Sequence, residues 1–233
     1  MRCLTETRSG HYLVNEDRFL CDPERSFFAV LDGEVHEGHA AIVALEVLRV
    51  ASQSIADTLR RRPEAAADAL SSVVRLANQT VFRGSSPRWR GAGTTLTCLG
   101  LSRDSIVIAH VGDSRAFARD ASGWRCLTID HTLVGDARRV NHPDVAQLVA
   151  AHSNVVTRVV GMTPEVDVET YQLSISGISD LLLCTDGFWR PLDAELNYAA
   201  LPNITGQALL DCAYRAFEKD GQRDNASCVL VSL

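Results

Sequence analysis

Apolar residues follow two spacings along the chain, and each spacing predicts a different kind of element. Short continuous apolar runs bounded by polar residues or glycine predict buried strands. Such runs occupy residues 26–31, 94–101, 105–111, 114–119, 166–173, 181–185 and 226–231. Apolar residues three or four positions apart predict helices at 38–59, 63–82 and 207–217. Residues 130–151 show both patterns, so we expect that segment to be partly helical.

The order of these elements predicts the fold class. One strand is followed by two helices, then by several strands, and the chain closes with a helix and a strand. This order differs from the regular alternation of strand and helix in a doubly wound parallel sheet. It predicts an α+β fold, in which antiparallel sheets pack together with helices on the outside. The length of 233 residues fits a single domain over residues 1–233.

Composition and charge exclude several classes of protein. A hydrophobic content of 46% with 22% charged residues is typical of a globular domain and excludes a disordered or fibrous chain. The net charge of −6 argues against a nucleic-acid partner, which would require a basic surface. We also expect no membrane partner, because the longest apolar stretches are far shorter than the ~18 residues of a membrane span. Seven cysteines without a C-x-x-C pair indicate reduced thiols and a cytoplasmic protein.

Acidic residues lie at the ends of the predicted strands. Asp32, Asp113 and Asp186 each come directly after an apolar run, or within two residues of its end; Asp224 precedes the last run, and the pair 16–17 precedes the first. A single aspartate after a strand is a common turn residue. Several such residues at one site would repel each other unless a cation lies among them. Oxygen ligands without cysteine or histidine select hard ions, so the pattern predicts a Mg²⁺ or Mn²⁺ site.

Eight short motifs, in their order along the chain, resemble those of the metal-dependent protein phosphatase 2C (PPM) family. The resemblance extends from about residue 7 to the end, and each motif alone is weak, whereas the ordered set is specific. The family fold is an αββα sandwich, which agrees with the element order above. The motifs are NED at 15–17, DG at 32–33, GTT at 93–95, AHVGDSRAF at 109–117, DHTLV at 130–134, NVVTRVVG at 154–161, LLLCTDGFW at 181–189 and RDNASCVLV at 223–231.

The resemblance implies a centre with two Mn²⁺ or Mg²⁺ ions. In such a centre Asp32 bridges both ions. Asp186 and Asp224 complete the protein ligands of the first ion. Glu16 and the carbonyl oxygen of Gly33 serve the second ion, in part through water.

The resemblance also implies further acidic residues and a reaction. Asp17 would lie in the outer shell of the centre, and Asp113 together with Asp186 would hold a third, weaker ion. The expected activity is that of a protein serine/threonine phosphatase, in which a metal-activated water attacks the phosphorus of phosphoserine or phosphothreonine directly. The expected partners are proteins phosphorylated by a serine/threonine kinase, and the expected catalytic residues are Asp32, Asp186 and Asp224.

One departure from the family concerns the substrate phosphate. Family members usually have an arginine four residues before the glutamate, where it binds the phosphate with two hydrogen bonds. Here that position is Tyr12, which can donate one hydrogen bond but carries no charge. Arg8 or His11 could substitute for it in space. We therefore assign Tyr12 and Arg8 as candidate substrate-binding residues, and we expect weaker phosphate binding than in relatives.

A second departure concerns the loop that follows Asp32 and Gly33. Aligned without a gap, Glu34 takes the position at which some members have a histidine general acid. If two residues are inserted, His36 takes that position instead and could protonate the leaving oxygen. A solvated loop histidine without a catalytic role is the competing interpretation of His36.

Two other functions remain open from the sequence. The first is a binding or regulatory module with the phosphatase fold and an impaired centre, which Tyr12 and the altered loop favour. The second is a hydrolase of small phosphoesters. Retention of all the metal-binding acids favours the protein phosphatase.

Overall fold

The structure is a computed structural model that describes residues 1–34, 38–84, 87–152, 154–193, 201, 203–221 and 223–233. Within these ranges the strands are β1 (Arg2–Arg8), β2 (Arg18–Asp22), β3 (Phe27–Leu31), β4 (Gly33–Glu34), β5 (Gly93–Thr94), β6 (Leu96–Leu101), β7 (Ser105–Val111), β8 (Arg115–Asp120), β9 (Gly123–Cys126), β10 (Glu169–Ser174), β11 (Asp180–Cys184) and β12 (Ala226–Ser232). The α-helices are α1 (His39–Arg61), α2 (Ala66–Gly84), α3 (Leu133–Arg139), α4 (Val145–His152), α5 (Asp186–Trp189) and α6 (Gln207–Lys219). Short 3-10 turns cover Pro63–Ala65, Pro87–Trp89 and Arg190–Leu192.

Ten of these strands form two antiparallel sheets that pack face to face. The first sheet has the strand order β1-β12-β11-β8-β9, and the second has the order β10-β7-β6-β3-β2. Strands β4 and β5 form a separate two-stranded ribbon. Helices α1 and α2 pack on the second sheet, whereas α5 and α6 pack on the first. This αββα arrangement confirms the predicted fold class.

Side chains of the central strands alternate between two apolar layers, as the two-residue period of a strand requires. In β3, Phe28 and Val30 belong to the layer between the two sheets. Phe27, Ala29 and Leu31 belong to the layer between the second sheet and its helices. Because both faces are covered, the strand is buried along its whole length and reads in the sequence as a continuous apolar run.

Helix α1 is long and apolar enough to cross a membrane by length and composition alone, which corrects the expectation that no segment reaches that length. Its Ala41, Ala44 and Leu48 are fully buried in the layer against the second sheet. Its outer side carries an ion pair between Glu46 and Arg49. We therefore interpret α1 as a core helix of the sandwich.

The sequence pattern does not predict four of the strands. Strands β1 and β2 are edge strands, β9 has only four residues and β4 only two. β1 has the sequence RCLTETR, in which Cys3 and Leu4 are the only apolar residues. It forms because its backbone pairs with β12 over seven residues. Such pairing depends on a partner distant in the sequence and leaves no periodic apolar signal.

The connections place the acidic residues at shared ends of the sheets. Strands β2 and β3 are antiparallel, so Asp17, which precedes β2, lies at the same end as Asp32, which follows β3. Strands β11 and β12 are also antiparallel, so Asp186, which follows β11, lies near Asp224, which precedes β12. Asp113 follows β7, whose last residue pairs with the first residue of β6. Because β6 is also antiparallel to β3, Asp113 lies at the same end of this sheet as Asp32. The strand ends therefore bring distant acids together.

All seven cysteines are free thiols, as expected. Cys98, Cys184 and Cys228 are buried, and burial raises the pKa of Cys98 and Cys228 to about 12. They act as small apolar residues of the core.

Arg115 is fully buried behind the acidic end of the sandwich. Its Nε and Nη2 donate to the two carboxylate oxygens of Asp130, both at 2.9 Å. Its Nη1 donates to Asp193 Oδ2 at 2.7 Å. The guanidinium carbon also lies 3.4 Å from the ring centroid of Trp189. Because both acids are buried as well, loss of the arginine would leave charges without compensation.

We predict that Arg115→Ala lowers the free energy of unfolding by about 3–5 kcal/mol, the usual cost of breaking a buried ion pair. Urea denaturation followed by circular dichroism measures this change. Arg49→Ala is the control, because it removes an exposed ion pair of a kind that contributes at most about 1 kcal/mol. Equal stabilities of the two variants would contradict the prediction.

Candidate metal centre

Three carboxylates from three different strand ends converge at the acidic end of the sandwich. One oxygen atom each of Asp32, Asp113 and Asp186 lies within 4.8 Å of the others. Asp113 is buried, and the other two side chains are partly exposed. Carboxylate oxygens are the ligands that Mg²⁺ and Mn²⁺ prefer. The structure therefore brings together three of the residues that the sequence predicted to bind metal.

Hydrogen bonds to the neighbouring strands hold Asp32 in place. Its backbone N–H donates to Thr95 Oγ1 at 3.0 Å. Its carbonyl oxygen accepts hydrogen bonds from Thr95 N and from Thr94 Oγ1, both at 2.9 Å. Thr95 Oγ1 is also hydrogen-bonded to Ser114 Oγ at 2.8 Å. Thr95 therefore connects the backbone at Asp32 with the residue that follows Asp113.

A glycine with a positive φ lies between the end of β7 and Asp113. Gly112 has a φ of 107°, and a Cβ there would lie 2.5 Å from the Cβ of Thr95. A larger residue is therefore excluded at this turn. The N–H of Gly112 donates to His131 Nδ1 at 3.1 Å, and Trp189 Nε1 donates to the carbonyl of Asp113 at 3.0 Å. His131 and Trp189 thus support the position of Asp113.

Two carboxylate oxygens of the site have no hydrogen-bond partner within the described part of the chain. Thr185 Oγ1 donates to Asp17 Oδ2 at 2.8 Å and accepts from Ser227 N at 2.9 Å. The other oxygen of Asp17 and the Oδ1 of Asp186 are buried and unpartnered. A buried carboxylate oxygen is unfavourable unless a cation, a donor or a water contacts it. Both atoms are therefore available to a cation.

Asn225 connects the segment of Glu16 to Asp224. Its Oδ1 accepts from Glu16 N at 2.7 Å, its Nδ2 donates to the carbonyl of Ser9 at 2.8 Å, and its N–H donates to Asp224 Oδ1 at 2.8 Å. Gly187 packs directly on this residue, since a Cβ at Gly187 would lie 2.0 Å from the Asn225 carbonyl oxygen. Asp224 therefore lies beside the first turn of α5.

Gly33 and Gly38 lie against the backbone of Glu16. A Cβ at either glycine would lie within 2.7 Å of the Glu16 carbonyl oxygen. This contact brings the start of α1 and the ribbon strand β4 to the acidic site. Glu34 follows Gly33 in β4 and so lies beside the same site. Burial and the charges of Asp186 and Glu16 raise its pKa.

Burial and mutual repulsion also raise the pKa of four aspartates of the site. Burial is the largest cause in each case. The pKa rises to about 7 for Asp17 and to about 8 for Asp113. For Asp224, at the exposed edge of the site, partial burial and the charge of Asp186 raise the pKa to about 6. Asp32 has a pKa well above its usual value. A divalent cation among these groups would favour their ionised forms, so the residues fit a hard metal ion.

Arg190 is a positively charged residue within this acidic site, and sequence reasoning did not identify it. Its Nε donates to Asp186 Oδ2 at 2.7 Å, and its Nη2 donates to Asp113 Oδ2 at 3.0 Å. The signal in the sequence was its distance of four residues from Asp186, which puts both side chains on one face of a helical segment.

The remaining sequence candidates do not contact the acidic site through any described interaction, or lie outside the described residues. Tyr12 is 57% exposed in a turn closed by its N–H and the carbonyl of Ser9. The guanidinium of Arg8 lies 4.4 Å from the ring centroid of Tyr214. The substrate-binding roles of Tyr12 and Arg8 remain predictions. His36 lies outside the described residues, so its role as general acid is also still a prediction.

Sequence comparisons identify the family of this chain. A family model described as Protein phosphatase 2C matches residues 8–213. The serine/threonine phosphatase stp of Listeria innocua is 30% identical over 151 residues, which are 60% of this chain and 57% of that protein. Protein phosphatase PhpP of Streptococcus pneumoniae is 27% identical over 164 residues, which are 68% of this chain and 65% of that protein. The chain thus spans less than two thirds of the length of these relatives.

Solved structures share the fold over almost their full length. The structure of a bacterial serine phosphatase has a TM-score of 0.85 at 21% identity, and the match covers 100% of this chain and 97% of that one. Stp1 from Staphylococcus aureus has a TM-score of 0.82 at 21% identity, with 99% and 94% covered. Since the family model matches most of the residues, the chain belongs to the protein phosphatase 2C family. The resemblance stated from the motifs is confirmed.

We predict that the raised pKa values of the carboxyl groups lower the stability of the metal-free protein as the pH rises from about 4 to 8. In the unfolded chain the aspartates titrate near 3.8, whereas in the folded chain the pKa is about 7 for Asp17, 8 for Asp113 and 6 for Asp224. Between these values the folded state binds more protons than the unfolded state, so the free energy of unfolding falls as the pH rises. Urea denaturation in EDTA at pH 5 and pH 8 measures the dependence in the wild-type chain and in Asp17→Asn, and the difference between the two gives the contribution of Asp17. Burial lowers the pKa of His110 well below its usual value, so this residue acts in the opposite direction and is common to both chains.

Asp17→Asn is the matched variant, because it removes one titrating group and keeps the shape of the side chain. It should make the dependence on pH less steep. Mn²⁺ added at pH 8 should restore stability to the unsubstituted chain by binding the folded state. The same dependence on pH in Asp17→Asn and in the wild-type chain would contradict the raised pKa of Asp17.

Proposed function

We propose that this chain is a Mn²⁺- or Mg²⁺-dependent protein serine/threonine phosphatase. The observation that carries the proposal is the convergence of Asp32, Asp113 and Asp186 in a member of the protein phosphatase 2C family. The similar proteins from Listeria and Staphylococcus are described as serine/threonine phosphatases. The proposed substrates are phosphoserine and phosphothreonine residues of proteins that a serine/threonine kinase has modified.

We propose that two ions bind at the acidic site and share Asp32. Asp186 and Asp224 would complete the ligands of one ion, and Glu16 with the carbonyl of Gly33 would serve the other. The unpartnered Oδ1 of Asp186 and the packing of Gly33 against the Glu16 backbone support this assignment. When bound, the ions would lower the pKa of a water and stabilise the developing charge of the phosphoryl group.

The chain's own residues would keep this site rigid. Thr95 holds the backbone of Asp32, Thr185 holds Asp17, and Asn225 joins Asp224 to the segment of Glu16. Ligands held by packed strands and supporting hydrogen bonds keep their geometry better than ligands on free loops. For the proton that the leaving oxygen needs, we propose His36 or Glu34, and the position of Glu34 among the acids supports the second candidate.

A binding module without turnover is the second candidate function. Tyr12 favours it, because this exposed residue carries no charge at a position where relatives usually have a phosphate-binding arginine. Retention of the converging acids favours the enzyme. Hydrolysis of small phosphoesters is a third candidate, which a comparison of kcat/KM for phosphopeptides and for small phosphate esters would distinguish.

We further propose that residues 1–233 act as one phosphatase domain in the cytoplasm. The seven free thiols support a reducing compartment. The net charge of −6 gives no support to a nucleic-acid partner.

We predict that Asp186→Asn lowers the Mn²⁺-dependent hydrolysis of p-nitrophenyl phosphate and of a phosphothreonine peptide by at least about 100-fold, since it removes a charged ligand from the centre. Release of nitrophenolate and of inorganic phosphate measures the two rates. Asp104→Asn, at the exposed turn between β6 and β7, is the control and should keep full activity.

Activity that persists in Asp186→Asn would contradict the proposed centre. A wild-type chain that binds the phosphopeptide but hydrolyses neither substrate with Mn²⁺ present would favour the binding module instead.

A further inference from the structure

Arg190 is hydrogen-bonded to both acids of one carboxylate pair in the site. Its Nε donates to Asp186 Oδ2 at 2.7 Å and its Nη2 donates to Asp113 Oδ2 at 3.0 Å. These are the two residues that the resemblance assigned to a third, weaker ion. The guanidinium therefore binds one carboxylate oxygen of each residue that such an ion would use as a ligand.

The remaining contacts hold the guanidinium in this position. Its Nη1 donates to Asn154 Oδ1 at 2.7 Å. Its carbon lies 4.9 Å from the ring centroid of Trp189, whose own Nε1 donates to the carbonyl of Asp113. The side chain is only 21% exposed. Arg190 is thus a partly buried and well supported cation, in contrast to an exposed surface arginine.

The same contacts argue against a role for Arg190 as the missing phosphate-binding arginine. Binding a phosphate with two hydrogen bonds requires two N–H groups that point at the substrate. Here each of the three nitrogens already donates to a side-chain oxygen, of Asp186, Asp113 or Asn154. These bonds orient the guanidinium towards two carboxylates and an amide of the protein itself.

We propose that Arg190 takes the place of a third metal ion and thereby limits this centre to two ions. The inference rests on the proposed function, because it presumes that divalent ions bind at Asp32 and Asp186. An arginine is protonated at every accessible pH, so its charge is always present at the Asp113–Asp186 pair. A third divalent ion at this pair would have to displace the guanidinium from Asp113 Oδ2 and Asp186 Oδ2, or bind the other oxygens of these residues against the repulsion of the positive charge. The positive charge that relatives would obtain from a dissociable ion is covalently built into this chain.

The experiment counts Mn²⁺ ions by isothermal titration calorimetry of the metal-free chain, with no substrate present. The wild-type chain should bind two ions. Arg190→Gln should bind a third ion, or bind it at least about tenfold more tightly than the wild type, because the competing charge is gone. Arg60→Gln is the matched control, since Arg60 forms an exposed ion pair with Asp57 on α1, and it should bind two ions.

Asp113→Asn tests the same inference independently of whether Arg190→Gln folds. If Asp113 binds Arg190 and not an ion, Asp113→Asn keeps two Mn²⁺ ions. In the double variant Arg190→Gln with Asp113→Asn, the third ion should disappear again.

Three ions in the wild-type chain, or the loss of one ion in Asp113→Asn, would overturn the inference. Equal counts and affinities in Arg190→Gln and the wild type would overturn it as well. A wild-type chain that binds no Mn²⁺ would contradict the proposed function itself, and the role of Arg190 with it.

Discussion

The mutual repulsion of acidic side chains at one end of the sandwich is the constraint on which the site depends. Asp32, Asp113 and Asp186 approach within 4.8 Å, and burial weakens their hydration. Like charges at such distances need protons or cations between them. In the metal-free chain, the raised pKa values show that protons supply part of this compensation, and Arg190 supplies a permanent positive charge. Divalent ions would supply the rest, which links metal binding to the stability of the fold.

The αββα scaffold can hold this arrangement because the backbone around each acid has little freedom to move. Strands such as β3 and β11 are buried on both faces, and the acids follow them immediately or after one residue. Behind the site, Trp189 connects two charged groups, since its Nε1 donates to the carbonyl of Asp113 and its ring packs under Arg115. Close packing of this kind transmits strain instead of relaxing it. The energy of burial in the sandwich therefore opposes the separation of the carboxylates.

The layers of the fold and most of the acids could be predicted from the sequence, because both depend on local patterns. A continuous apolar run specifies β7 residue for residue, and an aspartate after such a run indicates Asp32 and Asp186. Strand β1 could not be predicted, since its sequence RCLTETR is mostly polar and it forms only by pairing with β12. The role of Arg190 was also hidden, because Asp113, its second partner, lies 77 residues away along the chain.

The most direct test of the central claim is anomalous scattering at the manganese edge from a crystal of this protein soaked with Mn²⁺. It gives the number of ions and their ligands without an activity assay. The account predicts two manganese peaks, with Asp32 as a ligand of both and with Asp186 and Asp224 as ligands of one, while Asp113 stays paired with Arg190. No manganese within coordination distance of Asp32 and Asp186 would contradict the account.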